Sequence, residues 1–141
     1  MDYYLEIKSR LLDNEIYSRA KDYSKERHRI ITYFETGKLL FEAGSKYGDK
    51  IIDQYSLRLT SELGHQYNKS TLFKMRKLYL TFKDEKVAPL VPQLTWSHNL
   101  LLLPLEEHKI IYYSHQIIQR NLSKRQLMDI IKNKEYERLP E

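Results

Sequence analysis

Residues 49–82 read DKIIDQYSLRLTSELGHQYNKSTLFKMRKLYLTF, and this stretch decides the fold class. Apolar residues recur at helical spacing twice within it, first over residues 51–63 and again over residues 72–82. Gly64 between the two runs is typical of a helix C-terminus, and Ser70 is the predicted N-cap of the second helix. Two helices joined by a short connection that contains glycine form the pattern of a helix-turn-helix.

The composition of the whole chain also favours helices. Its 141 residues include only 4 glycines and 4 prolines, whereas all-β folds need many turns and turns need these residues. With 41% hydrophobic and 30% charged residues, we expect a single compact all-α domain over residues 1–141. The expected arrangement is helix-turn-helix or winged-helix-like, with one long N-terminal helix.

Several classes of protein are excluded by what the sequence lacks. Cysteine is absent, which excludes disulfides, thiol nucleophiles and cysteine-ligated zinc. The longest aliphatic run covers residues 100–103, far short of the roughly 20 residues that span a bilayer. No apolar stretch follows Met1, as it would in a secretory signal. We therefore expect a cytoplasmic protein with no membrane contact.

The N-terminal third is predicted to form a short helix over residues 3–12 and a long one over residues 15–42. Asp13 or Asn14 is the predicted cap between them, and Gly44 is the predicted end of the long helix. The apolar stripe of the long helix comprises Ile16, Ala20, Tyr23, Ile30, Ile31, Phe34 and Phe41. Because so long a helix exceeds what a small core covers, its polar first half is also a candidate surface for homodimerisation.

The C-terminal part begins with a segment that Pro89 and Pro92 are expected to keep extended. The helices expected after it are a short one from Ser97 to the residue before Pro104 and longer ones over residues 105–121 and 123–132. Ser123 and Gln126 have the spacing of a capping box at the start of the last helix.

Positive charge is concentrated in the helix-turn-helix region. The chain has a formal net charge of +5, and residues 66–83 contain no acidic residue. Such a surface favours a polyanion, and duplex DNA is the predicted partner. Arg76 is the predicted base reader because a guanidinium pairs bidentately with guanine. The predicted DNA-binding residues are Lys69, Ser70, Thr71, Lys74, Arg76, Lys77 and Lys83.

Other patterns have structural interpretations, and no cofactor or metal site is predicted. Residues 36–39 resemble part of a P-loop but lack its first glycine and a preceding strand, so Gly37 is interpreted as allowing close helix packing. Trp96 is interpreted as a core anchor and Ser97 as a helix cap, with contact between nucleic acid and Trp96 or His98 as the alternative. The spacing expected of metal ligands is missing among His65, His98, His108 and His115.

Seven short motifs, in this order along the chain, resemble those of one bacterial family. They are YFETGK at 33–38, YG at 47–48, LT at 59–60, LFKMRKLY at 72–79, LTWSH at 94–98, YY at 112–113 and YERL at 136–139. The family is the YhcG type, whose N-terminal helical domain usually precedes a PD-(D/E)XK nuclease domain. The resemblance covers nearly the whole chain from about residue 16.

The resemblance implies a DNA-binding module of helix-turn-helix or winged-helix type beside a nuclease. This sequence departs from the family at Phe34 and Thr36, where tryptophan and isoleucine are usual, and at Thr95, where proline is usual. Residues 121–123 also replace a Gly-Trp-Ser-like stretch. The resemblance therefore implies the fold and a DNA-binding role, and it implies no particular DNA sequence.

The nuclease domain of the family would begin where this chain ends, so the catalytic core is expected to be absent. Three triplets match the acidic-x-Lys part of the nuclease motif, at residues 6–8, 84–86 and 107–109. They lie in predicted helices or a loop rather than in paired strands, and we expect no catalysis from this chain.

Two functional hypotheses remain open from the sequence. In the first, the chain is a DNA-binding module that positions DNA for a nuclease domain in cis or in trans. In the second, it is a protein–protein interaction or dimerisation module without a nucleic-acid role.

Overall fold

The fold is known from a computed structural model that describes residues 1–19 and 24–140. Its α-helices are α1 (Tyr3–Ser18), α2 (Lys25–Tyr47), α3 (Lys50–Glu62), α4 (Lys69–Phe82), α5 (Trp96–Leu102), α6 (Glu107–Arg120) and α7 (Lys124–Lys132). Short 3₁₀ helices cover His65–Tyr67, Ala88–Gln93 and Tyr136–Arg138. The all-α prediction is therefore confirmed. The wing of a winged helix needs β-strands, and the described ranges contain none.

The N-terminal boundary differs from the prediction. α1 runs through Asp13 and Asn14 to Ser18, and α2 begins only at Lys25, so the helix predicted over residues 15–42 does not form as one piece. α1 continues through Asn14 because Asn14 is not a cap: its side chain is buried, and its Oδ1 lies 2.9 Å from Nδ1 of His28 on α2. Two members of the predicted stripe, Ala20 and Tyr23, lie outside the described residues.

The other end of α2 also extends further than expected. The helix continues past Gly44, which is buried, to Tyr47. It stops at Gly48, whose φ of 89° is a left-handed conformation that glycine adopts without strain. Gly48, rather than Gly44, is therefore the glycine that ends α2.

α2 is the central helix and packs against both α1 and α4. At its crossing with α4, a Cβ added to Gly37 would lie 2.0 Å from the carbonyl oxygen of Met75. The two backbones are thus in direct contact, and the interpretation of Gly37 as a close-packing residue is confirmed.

The connection between α3 and α4 contains the predicted turn. Gly64 has a φ of 137°, and the 3₁₀ helix His65–Tyr67 follows it. The N-cap of α4 is Asn68 and not Ser70, because the Asn68 side chain accepts a hydrogen bond from the Thr71 amide at 3.0 Å. α4 thus begins at Lys69, slightly earlier than its apolar pattern indicates.

The C-terminal part follows the predicted order with two corrections. The proline segment forms the 3₁₀ helix Ala88–Gln93 rather than the predicted extended segment. α5 is capped by Thr95 rather than Ser97, because the Thr95 hydroxyl accepts from the His98 amide at 3.0 Å. The predicted capping box of α7 is confirmed, with Ser123 and Gln126 exchanging hydrogen bonds.

Candidate nucleic-acid interface

α4 divides into a buried and an exposed face. Its buried residues are Leu72, Met75, Leu78 and Phe82. Positions 70, 74, 77 and 81 share the opposite side of the helix, because residues three and four apart lie on one face. Ser70, Lys74 and Lys77 are exposed there. The helix is anchored by one side and presents hydroxyl and ammonium groups on the other.

Lys74 and Lys77 are the cations of this face that are not neutralised by an ion pair. In the described ranges, neither has a carboxylate oxygen within 4.0 Å. They border a groove whose other wall consists of Leu100, Leu103 and Pro104. The two ammonium groups beside this apolar wall can bind a ligand that has both an anionic group and an apolar surface.

Arg76 lies on a neighbouring side of α4 and is already engaged. Its Nη1 donates to Oδ1 of Asp49 at 2.9 Å, and its guanidinium lies 4.7 Å from the ring centroid of Phe73. Only 22% of its side chain is exposed. The guanidinium therefore links α4 to the start of α3, and base reading by Arg76 would require it to leave Asp49.

The remaining predicted residues lie at the two ends of α4. Lys69 Nζ lies 3.2 Å from Oδ1 of Asp53, and the Thr71 hydroxyl donates to Asn68 within the cap. Lys83 is exposed just after the helix, with Nζ 5.6 Å from the ring centroid of Phe41. The structure thus gathers Ser70, Lys74 and Lys77 on one face and places the other four candidates around it.

The turn before α4 is held in place by a buried tyrosine. The Tyr67 hydroxyl donates to Oε1 of Glu15 on α1 at 2.8 Å. The Ser56 hydroxyl on α3 donates to the backbone carbonyl of Tyr67 at 3.3 Å. Burial, reinforced by the hydrogen bond to Glu15, raises the pKa of Tyr67 far above its usual range. The phenol therefore stays protonated and continues to donate at any physiological pH.

Trp96 and His98 are buried in the core, and the interpretation of Trp96 as a core anchor is confirmed. The Trp96 ring packs edge-on against Tyr33 with 4.9 Å between centroids. His98 Nδ1 accepts from the Thr95 amide at 3.2 Å, so Nε2 carries the proton and donates to the Leu122 carbonyl at 2.9 Å. Burial lowers the pKa of His98, and the neutral ring joins α5 to the residues between α6 and α7.

Neither a metal cluster nor a nuclease-like strand pair occurs in the part of the chain that the structure describes. No group of three or more histidine, aspartate or glutamate side chains there is placed to hold a metal ion. The acidic-x-Lys triplets lie on α1, in the loop after α4 and at the start of α6. None of the described helices is long and apolar enough to cross a bilayer.

The family profile of the DUF1016 N-terminal domain matches residues 12–138. The chain belongs to this family. It is the family that the YhcG-type motifs indicate. No curated protein and no solved structure matches the chain. The match covers the N-terminal domain only, and no catalytic domain is matched.

Some residues that shape this face of the DUF1016 N-terminal domain have no signal in the local sequence. Asp49 immediately precedes α3 and Asp53 lies in its first turn, and they hold Arg76 and Lys69, but nothing in their own neighbourhood indicates those partners. Pro104, in the opposite wall of the groove, was predicted only as a helix breaker. Such pairings depend on how the helices cross, so only the tertiary structure reveals them.

Proposed function

We propose that this DUF1016 N-terminal domain binds duplex DNA and positions it for a nuclease domain supplied in cis or in trans. One observation carries the proposal. The second helix of the helix-turn-helix pair presents Ser70, Lys74 and Lys77 on an exposed face where neither lysine has a carboxylate partner among the described residues. The domain itself performs no chemistry in this proposal.

Physical chemistry supports DNA as the occupant of this face. An α-helix fits the major groove, and lysines that replace condensed counterions at phosphates supply most of the sequence-independent affinity. Lys74 and Lys77 lie within one helical turn, so their Cβ atoms are about 5–6 Å apart. They can therefore contact neighbouring phosphates together, and the Ser70 hydroxyl can donate to a third oxygen.

The ion pairs of α4 divide the predicted contacts into two groups. Lys74 and Lys77 can bind phosphate without breaking an ion pair to any described residue, whereas Lys69 and Arg76 must first leave Asp53 and Asp49. We therefore assign positioning to Lys74 and Lys77. Arg76 would read a base only after breaking its hydrogen bond to Asp49. Thr71 and Lys83, at the two ends of α4, would contact DNA at the edges of the site.

The proposal predicts a binding reaction that depends steeply on salt. In fluorescence-anisotropy titrations with labelled duplex DNA, Lys74→Ala/Lys77→Ala should reduce the slope of log K against log salt by about 2, since each phosphate contact contributes about 0.9. Lys74→Glu/Lys77→Glu should abolish binding at the lowest salt. Single-stranded DNA of the same length tests whether the duplex is preferred.

Lys124→Glu/Lys132→Glu is the matched control. Both lysines are exposed on α7, and the variant changes the net charge by the same amount. If the two glutamate variants weaken binding equally, only the overall charge matters and the α4 site is refuted. A folded protein that binds no DNA at low salt refutes the proposed function altogether.

The interaction-module hypothesis also has an observation in its favour. Three large apolar residues on α1, Leu5, Leu12 and Ile16, are exposed to solvent. This surface is on a different helix from the lysine pair, so protein association and DNA binding are compatible and can be tested separately.

A further inference from the structure

The outward side of α1 has an apolar stripe that the described parts of the chain leave uncovered. The exposed fractions are 58% for Leu5, 39% for Leu12 and 58% for Ile16. Spacings of seven and four residues place the three side chains on one line along the helix, and Ser9 continues that line between Leu5 and Leu12. We call Leu5, Ser9, Leu12 and Ile16 the α1 stripe.

The spacing of the α1 stripe is that of a coiled-coil seam. Leu5 and Leu12 occupy the d position of a heptad repeat, and Ser9 and Ile16 occupy the a position. A helix with the same repeat fits against such a seam. A second copy of α1 has the same repeat because its sequence is identical. Leucine at both d positions and the β-branched Ile16 at one of the two a positions favour a two-stranded pairing.

Charges beside the α1 stripe select the direction of that pairing. One border has Glu6 and Asp13 at the e positions, and no described cation lies within 4.0 Å of Asp13. The other border has Lys8 and Glu15 at the g positions, and the Glu15 carboxylate accepts hydrogen bonds from Gln66 and Tyr67 within the chain. Arg58, on α3, lies beside Lys8 with its guanidinium 3.6 Å from the ring centroid of Tyr4.

Symmetry decides which borders meet. In a parallel pair, the g position of one chain faces the e position of the other, five residues further on, so Lys8 faces Asp13 of the second copy. In an antiparallel pair, e faces e and g faces g, so Glu6 faces and repels Asp13 of the second copy. Lys8 then faces Glu15, whose carboxylate is already held by Gln66 and Tyr67 of its own chain. Glu62 pairs with Lys8 within the chain and lies near Arg58, so with Glu15 included this border carries no net charge.

We propose that the α1 stripe forms a parallel, two-fold symmetric dimer with a second copy of this chain. Two heptads cover less than the roughly 800 Å² per partner of a standard interface, so we expect a dissociation constant on the order of 10–100 μM. The proposal needs no DNA and does not rest on the proposed function.

Sedimentation velocity over a concentration series, without DNA, tests the association. The wild-type chain should shift from monomer to dimer as the concentration rises through the dissociation constant, and Leu12→Arg/Ile16→Arg should stay monomeric. Leu57→Arg is the matched control, because Leu57 is 73% exposed on α3 but outside the α1 stripe. Circular dichroism checks that each variant folds.

Cross-linking tests the direction. The chain has no cysteine, so Ile16→Cys introduces a unique thiol. In a parallel pair the two thiols are adjacent and form a disulfide, whereas in an antiparallel pair they are about 16 Å apart along the axis, at 1.5 Å per residue. Leu57→Cys should cross-link much more slowly. Asp13→Lys should weaken a parallel dimer about fivefold, because it faces Lys8 of the second copy.

Three outcomes would overturn the proposal. The first is a wild-type chain that is monomeric at several hundred micromolar, with equal cross-linking of the two cysteine variants. The second is a dimer that Leu12→Arg/Ile16→Arg leaves intact. The third is tighter association of Asp13→Lys, which would show an antiparallel pair.

Discussion

Gly37 sets the distance between α2 and α4. The nearest atoms to an added Cβ belong to the backbone of Met75, at 2.0 and 2.7 Å, and backbone cannot move aside as the end of a side chain can. Gly37→Ala should therefore lower the free energy of unfolding by about 3 kcal/mol or more, measured by urea denaturation.

Gly44→Ala is the control for Gly37→Ala. Both glycines are buried in α2, but a Cβ at Gly44 would meet a side-chain atom of Asp49, at 3.2 Å. The gain in helix propensity from Ala offsets that contact, so the change in stability should stay within about 1 kcal/mol. Equal losses for the two variants would contradict the backbone-contact explanation.

His98 gives the fold an acid-sensitive contact. Burial lowers its pKa, so the unfolded chain binds a proton more readily than the folded one. The stability that the neutral ring contributes is complete above about pH 6.5, the usual histidine pKa, and is lost as the pH falls below it. Thermal denaturation between pH 7.5 and 5 should show this decline.

His98→Gln isolates the titration, because glutamine can accept from the Thr95 amide in a capping box but cannot be protonated. The variant should lose stability at neutral pH and show a flatter pH dependence below pH 6.5. His115→Gln, at an exposed position on α6, is the matched control for replacing a histidine by glutamine. An unchanged profile in His98→Gln would assign the acid sensitivity to another group.

At the scale of the helices, the caps decide where elements begin. Asn68, rather than Ser70, caps α4, so Asn68→Ala should cost about 1 kcal/mol of stability and Ser70→Ala less than about 0.5 kcal/mol. Urea denaturation of both variants checks this. A larger loss of stability for Ser70→Ala than for Asn68→Ala would identify Ser70 as the N-cap of α4, as the sequence predicts.

Helices with strong local patterns could be predicted from the sequence. Helix ends and side-chain pairings that depend on residues far away in the sequence could not. The periodicity of α3 and α4 and the capping box of α7 are local, and the structure confirms them. Asn14 resembles a cap in the sequence, but its partner is His28 on the next helix. The pairing of Arg76 with Asp49 spans 27 residues, so no local pattern indicates it.

At the scale of the whole molecule, the two proposals can act together. A dimer formed through the α1 stripe would present two copies of α4, and dimeric helix-turn-helix proteins bind paired half-sites. A DNA duplex with two sites should then raise the affinity more than twofold over a duplex with one. The α1 stripe variant Leu12→Arg/Ile16→Arg should remove that gain and leave single-site binding intact.

The contact between Gly37 and Met75 also has a consequence for how the domain would meet a ligand. Since main-chain atoms of α2 fix the position of α4, the lysine pair is mounted on a preorganised support. Docking would then restrict only the long side chains of Lys74 and Lys77, about 2 kcal/mol of rotamer entropy each at most. Free and bound forms should superpose within about 1 Å over the Cα atoms of α2 and α4, and the domain would act as a rigid template rather than one that folds around its target.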